Sequence, residues 1–283
     1  MKSLASSSGL QRSSILTICI DNGTIGTMKN GARPDFLKNQ VAYYLLAPGN
    51  TGANGEWKYA DSFETLTANS RMFYLDSKNG DANGVFRSGL FSENHPIGGT
   101  DKFTYDPLDT KRGENVDGID PKEKTAGLDQ TYALSISDDG LVYHTAPLPN
   151  ETPLTGCPAV TLWVSINTPD TDLYEIQPDG TSIALWSDIR RLRYRESLRE
   201  AKLVKPGEIV RCDFNPGLFV ARRLMKGSRL RLVISSPNSI LWQKNYNSGG
   251  VVAEETAKDA RTAHVQVYHD ATHASSIQIP FSK

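Results

Sequence analysis

His264, His269 and His273 fall within ten residues of one another, so metal binding and acid–base chemistry are the first functions to weigh. A metal needs neutral imidazoles converging from rigid positions, each held by a partner of its own. Here His264 lies on an alternating strand, whereas His269 and His273 fall in the turn before the last strand. The pattern reads as a hydrogen-bonded turn tied down by Asp270 and the histidines, so no metal ligand is assigned.

Arginine is the second concentration. Between positions 188 and 231 there are 13 Lys+Arg against 5 Asp+Glu. Arg191, Arg193 and Arg195 alternate with Leu192 and Tyr194, and Arg229 and Arg231 alternate with Leu230 and Leu232. On a strand that alternation collects guanidinium groups on one face, suited to an acidic partner surface. The alternative is a solvated or internally paired face, with Glu196, Glu200 and Glu208 nearby. Carboxylates are thinner evidence. Residues 76–81 lack the alternating acids and closing glutamate of a calcium loop, and Asp117 and Asp120 fit a turn. Trp186 and Trp242 stand at strand or loop ends and could stack on sugar rings, while Trp163 lies in an apolar strand and reads as core.

Several chemistries have no motif. There is no G-x-S-x-G nucleophile elbow, no G-x-G-x-x-G, no Gly-Lys of a phosphate loop and no H-E-x-x-H. A Ser-His-Asp triad assembled from distant positions would leave no local trace, because such triads are defined by geometry. No catalytic residue and no cofactor site is therefore assigned.

The elements that must position these residues are mostly strands. Extended segments are expected at 40–46, 71–76, 133–137, 141–145, 160–167, 181–186, 209–214, 229–235, 264–268 and 276–279. Asn79-Gly80 and Asp138-Asp139-Gly140 mark hairpin turns, a weak helix is expected over 62–70, and 105–131 reads as a long surface loop. This predicts an all-β, two-layer antiparallel sandwich over residues 36–283, with residues 1–35 as a loose tail. The length of 283 residues suits one large sandwich or two smaller domains. The formal net charge of -1 and the lack of interleaved aromatics argue against nucleic acid. The apolar run at 15–20 is too short to span a bilayer. Cys19, Cys157 and Cys212 are widely spaced, which fits a reducing compartment and a cytoplasmic chain.

Segments at 158–165, 168–173, 178–180, 192–197, 205–208, 226–236, 245–250 and 267–273, together with Tyr105-Asp106-Pro107 and Tyr143-His144-Thr145, share one resemblance. In combination they resemble the C-terminal domain of the family that holds cocaine esterase, X-Pro dipeptidyl-peptidase and α-amino-acid ester hydrolase. The resemblance runs from about Arg33 to the carboxyl terminus. It implies a jelly-roll sandwich, related to galactose-binding domains, that packs on an α/β-hydrolase catalytic domain absent from this chain. In that family the catalytic Ser, Asp and His precede this domain, so none is carried over. The implied role is accessory: covering the catalytic domain and shaping its cleft. Arg191, Arg193, Arg195, Asn245 and Asn247 are the expected interface or cleft-facing residues. An uncovered domain of this kind is expected to self-associate. The rival reading is a free-standing carbohydrate-binding sandwich that stacks sugars on Trp186 or Trp242.

Overall fold

The computed structural model describes residues 41–49, 54–78, 80–111, 134–166, 170–176, 180, 182–215, 217–236, 238–239 and 242–281. The expected tail, 1–35, and the Asp117–Asp120 turn lie outside these residues. Fifteen strands carry the described chain, with one five-residue helix, α1 (Phe63–Thr67), capped by Ser62 Oγ on the Thr65 amide at 3.3 Å. The protein is an all-β sandwich, as its alternation predicts.

Alternation decides which side of each strand is inside. In β5 (Thr100–Tyr105), Asp101, Phe103 and Tyr105 are buried while Lys102 and Thr104 are exposed. β11 (Val210–Phe214) and β14 (Ala263–Tyr268) behave alike, burying Cys212 and Phe214, and Val265 and Val267. β6 (Gly140–His144) is buried at every position, and β13 (Arg229–Ser235) at every position after Arg229, as expected of strands covered on both faces.

The large sheet also holds β3 (Ser70–Asp76), β4 (Gly89–Ser92), β8 (Ala159–Ser165), β9 (Asp170–Ile176), β10 (Ser182–Ile189) and β15 (Ser276–Pro280). Its order is β10-β9-β13-β6-β4-β3-β15-β8-β14-β5, with β11 on the remaining edge of β8. All its pairings are antiparallel except β4 with β6. The opposite edge of β8 is shared. β15 takes its first half, with Ile277 opposite Val160, and β14 takes its second half, with Val267 opposite Val164. Two small sheets complete the fold: β1 (Val41–Leu45) with β2 (Glu56–Ala60), and β7 (Thr152–Gly156) with β12 (Val220–Leu224). One continuous core takes side chains from both sheet systems, including Leu154, Leu162, Phe214, Leu224, Leu232 and Ile279. Each such residue contributes roughly 1.5–3 kcal/mol by leaving water.

Three expectations fail for local reasons. Residues 191–195 are not a strand: Leu192–Tyr194 forms a 3-10 turn pinned by the fully buried Leu192 and closed by the Tyr194 amide on Arg191 O. Residues 134–137 are not a strand either. Asp139 Oδ1 accepts the Ser137 amide and Asp138 has φ of 62°, so side-chain bonding bends the chain before β6. The turn after β3 makes no tight hairpin, since β3 meets β4 across residues 77–88.

Candidate functional site

The arginine segment follows β10 and works as a set of clamps. Arg191 Nη2 donates to the carbonyls of Gln243 at 2.7 Å and Lys244 at 3.2 Å. Arg193 Nη1 reaches Gly250 O at 2.8 Å, and Arg195 Nη1 reaches Leu192 O and Lys202 O at 3.0 and 2.7 Å. The guanidinium fork, with several donors in one plane, suits this bracing of irregular backbone. Burial, then the charge of Arg193, pulls Arg191 below the usual arginine range. Asn245 and Asn247 shape the braced loop from within: Asn245 Oδ1 accepts the Asn247 amide, and Asn247 Nδ2 donates to Arg261 O at 2.8 Å. Asn247 takes a left-handed φ of 62°. The structure thus brings Arg191, Arg193, Asn245 and Asn247 to one loop, while Arg195 braces the adjoining 192–202 segment instead.

Beside it lies a cavity of about 270 Å³ lined by Thr104, Tyr105, Asp106, Asp109 and Asn238 among others. Tyr105 Oη donates to Asn238 Oδ1 at 2.8 Å and meets Asn245 O at 3.1 Å, joining cavity and loop. Burial pushes its phenol well above the ordinary range. Elsewhere the basic stretch is also paired within the domain. Arg211 bonds Asp213, Arg222 reaches Gly49 O, Arg223 meets Glu56 and Glu151, and Arg229 reaches Thr145 O.

A second polar cluster went unread in the sequence. Asp101, at the start of β5, accepts Ser77 Oγ on Oδ1 at 2.6 Å and Tyr143 Oη on Oδ2 at 2.6 Å. His269 Nε2 lies 3.0 Å from the same Oδ2 and 3.3 Å from Ser77 Oγ. Asp101, Tyr143 and His269 are each 0% exposed. Gly99 makes room: a Cβ there would come within 2.2 Å of the imidazole, and the Gly99 carbonyl accepts the His269 amide. Burial disfavours the imidazolium, but the hydrogen bond and charge of Asp101, with Asp76 behind, outweigh it and raise the His269 pKa. Burial first, then the Asp101 charge, raises Tyr143 well above its usual value.

These residues include a Ser, a His and an Asp, yet not in the order a serine nucleophile requires. A relay needs the carboxylate on one imidazole nitrogen and the hydroxyl on the other. Here both meet Nε2, the Ser77 proton goes to Asp101, and Nδ1 has no partner among the described residues. The cluster ties the end of β3, β5, β6 and the β14–β15 turn together.

The remaining candidates separate. In that same turn Asp270 accepts the Thr272 and His273 amides and meets His273 Nδ1 at 3.2 Å, while His264, on β14, lies 3.3 Å from Thr104 Oγ1 of β5. Among the described residues no group of three His, Cys, Asp or Glu is placed to hold a metal. Trp186 is 4% exposed and packs in the core, so it offers no stacking face, while Trp242 is 49% exposed. Trp163 reverses its expectation: it shares an outward face with Thr161 and packs on His273 with ring centroids 5.1 Å apart.

Residues 37–278 match the family described as the X-Pro dipeptidyl-peptidase C-terminal non-catalytic domain. The chain belongs to that family. The chain is also similar to the cocaine esterase of Rhodococcus sp. (strain MB1 Bresler), 31% identical over 235 residues, which are 81% of this chain and 40% of the esterase. Among solved structures, an aminopeptidase from a marine sediment Thaumarchaeota archaeon superposes with a TM-score of 0.72 at 20% identity, over 93% of this chain and 43% of its own. An α-amino acid ester hydrolase gives 0.61 at 20% identity, over 75% of this chain and 36% of its own. These two likenesses concern the fold. The chain spans less than half the length of each of these relatives. Among the described residues no helix is long and apolar enough to cross a membrane.

Proposed function

We propose that this chain is the accessory, non-catalytic domain of a serine hydrolase that acts on esters or X-Pro peptides. It packs on an α/β-hydrolase catalytic domain and shapes the active-site cleft. The observation that carries this reading is the family match over residues 37–278, in relatives more than twice as long. In this reading the loop braced by Arg191 and Arg193, with Asn245 and Asn247 at its centre and Arg195 holding the neighbouring 192–202 segment, faces the cleft. Its support is the rigidity given by inward hydrogen bonds, which lets an irregular polar loop hold one shape against a substrate. A cytoplasmic location belongs to the same reading and is supported by the free thiols of Cys157 and Cys212.

The test has two arms. The isolated chain is expected to leave p-nitrophenyl acetate and an X-Pro-nitroanilide intact and to take no label from a fluorophosphonate probe. Stoichiometric labelling would overturn the non-catalytic assignment. Added in trans to the hydrolase portion of the Rhodococcus cocaine esterase, the chain is expected to change the ratio of kcat/KM for bulky over small esters, and Asn247→Ala to reverse part of the change. An unchanged ratio despite binding would remove the cleft-shaping role.

A further inference from the structure

The β1–β2 hairpin is a two-stranded sheet with two unlike faces. Tyr43 and Lys58 are register partners on one face, and there the Tyr43 ring lies 5.9 Å from Phe219, which in turn packs 5.5 Å from Phe63. The opposite face carries Ala42, Tyr44, Trp57 and Tyr59, with Tyr44 opposite Trp57 and Ala42 opposite Tyr59. None of these side chains is charged. Tyr44 and Trp57 meet edge to face at 5.5 Å, leaving Trp57 41% and Tyr59 36% exposed. A two-stranded hairpin buries too little to justify an uncovered aromatic face, and rigid Trp and Tyr groups clear of charge are typical anchors of protein interfaces.

The hairpin is also held rigidly. Leu46 bridges to β12 in both directions, its amide on Ala221 O and its carbonyl accepting the Arg223 amide, each at 3.0 Å. Arg223 pairs with Glu56 of β2, and Arg222 Nη2 donates to Gly49 O at 2.6 Å. The aromatic face is therefore fixed to the sandwich before any partner arrives, so docking spares the cost of ordering it.

Connectivity selects the occupant. Among the described residues β1 is the first strand, and the matched family is a C-terminal one, so the rest of a member's length comes before it. The first described strand is thus also one that bears the exposed aromatic face. A domain tethered there meets this face at high effective concentration. We infer that the Tyr44–Trp57–Tyr59 face of the β1–β2 hairpin is the anchor on which the α/β-hydrolase domain docks, with the braced arginine loop left to face the cleft. This inference rests on the accessory-domain reading and adds which surface carries the binding energy.

The test mixes the full chain with the hydrolase portion of the Rhodococcus cocaine esterase, checked for folding by fluorophosphonate labelling, and measures association by sedimentation velocity. Trp57→Ser/Tyr59→Ser is expected to weaken association about thirtyfold. Trp242→Ser, a variant of a somewhat more exposed tryptophan elsewhere, is expected to leave it unchanged. Equal binding by all three chains overturns the docking face and leaves the accessory reading standing. Absence of binding by every chain overturns both. A second measurement needs no partner. Hydroxyl-radical footprinting of the isolated monomer is expected to modify Trp57 and Trp242 to similar extents. A protected Trp57 means that the chain's own residues cover the face, which overturns the proposal. So does a homodimer that the double variant abolishes and the hydrolase portion fails to displace.

Discussion

Two histidines inside the sandwich have opposite partners. On β6, His144 Nε2 accepts a 2.8 Å bond from Arg231 Nε, directly across the β6–β13 register. Burial, then the charges of Arg231 and Arg229, lowers its pKa to about 4, so it stays neutral. In the β14–β15 turn, His269 instead faces Asp101, and its pKa is raised. His144 joins two strands that backbone hydrogen bonds already hold, whereas the His269 cluster links the β5–β14 ladder to β6 and to the end of β3, with which β5 forms no ladder. Burial alone therefore sets neither charge nor structural weight. The partner decides both.

The largest expected effect is at the carboxylate. Asp101→Ala leaves the Ser77 and Tyr143 hydroxyls and His269 without their shared acceptor, and it is expected to cost about 3–5 kcal/mol in urea unfolding. His144→Leu removes one acceptor from an arginine that keeps other contacts, and is expected to cost about half as much. Equal losses would break the comparison.

The pH dependence sharpens it. A lowered histidine pKa takes stability away in acid: below 6.5 the unfolded chain binds a proton that folded His144 refuses until about pH 4. That window is worth on the order of 3 kcal/mol, and His144→Gln is expected to flatten it in urea titrations from pH 7 to 4. His269 has the opposite sign. Its stabilisation is complete below 6.5 and fades as pH rises through its raised folded value, so the deficit of His269→Gln should shrink on the alkaline side. A deficit that grows there would reverse the charge assignment.

Smaller effects follow. Gly99→Ala pushes a methyl against the His269 ring at a φ of 150° and is expected to cost about 1–3 kcal/mol, with only the ring-contact part relieved in a His269→Ala background. Additive losses in that double mutant would deny the contact. Arg193→Ala, at the rim of the braced loop, is expected to cost about 1 kcal/mol or less while raising the rate of proteolytic cleavage within residues 243–251.

Strands with a buried alternating face were legible in the sequence. Residues 209–214, 264–268 and 276–279 fall on β11, β14 and β15, and the expected helix contains α1 behind its Ser62 cap. Strands with mixed composition were not: β2, with Glu56, Trp57 and Lys58, and β7, with Pro153, are set by pairing to β1 and β12. The regular Arg-Leu-Arg-Tyr-Arg spacing misled, because one buried leucine and carbonyl-seeking guanidiniums outweigh a two-residue period. Ser77 and Asp101 had no readable signal, His269 was read only as part of a turn, and Tyr143 only as a residue of an expected strand. Each is unremarkable in its own segment, and only the topology brings residues 192 positions apart into one cluster.

The sharing of β8 between the final two strands has a consequence for synthesis. β15 closes against β3, roughly 200 residues earlier, and completes one half of the β8 edge. A nascent chain can pair β1 with β2 early, but β3 and the first half of β8 wait for β15 to leave the ribosome. The sandwich therefore closes only once β15 has been made, and loss of residues 276–280 would leave two interior strands with open edges.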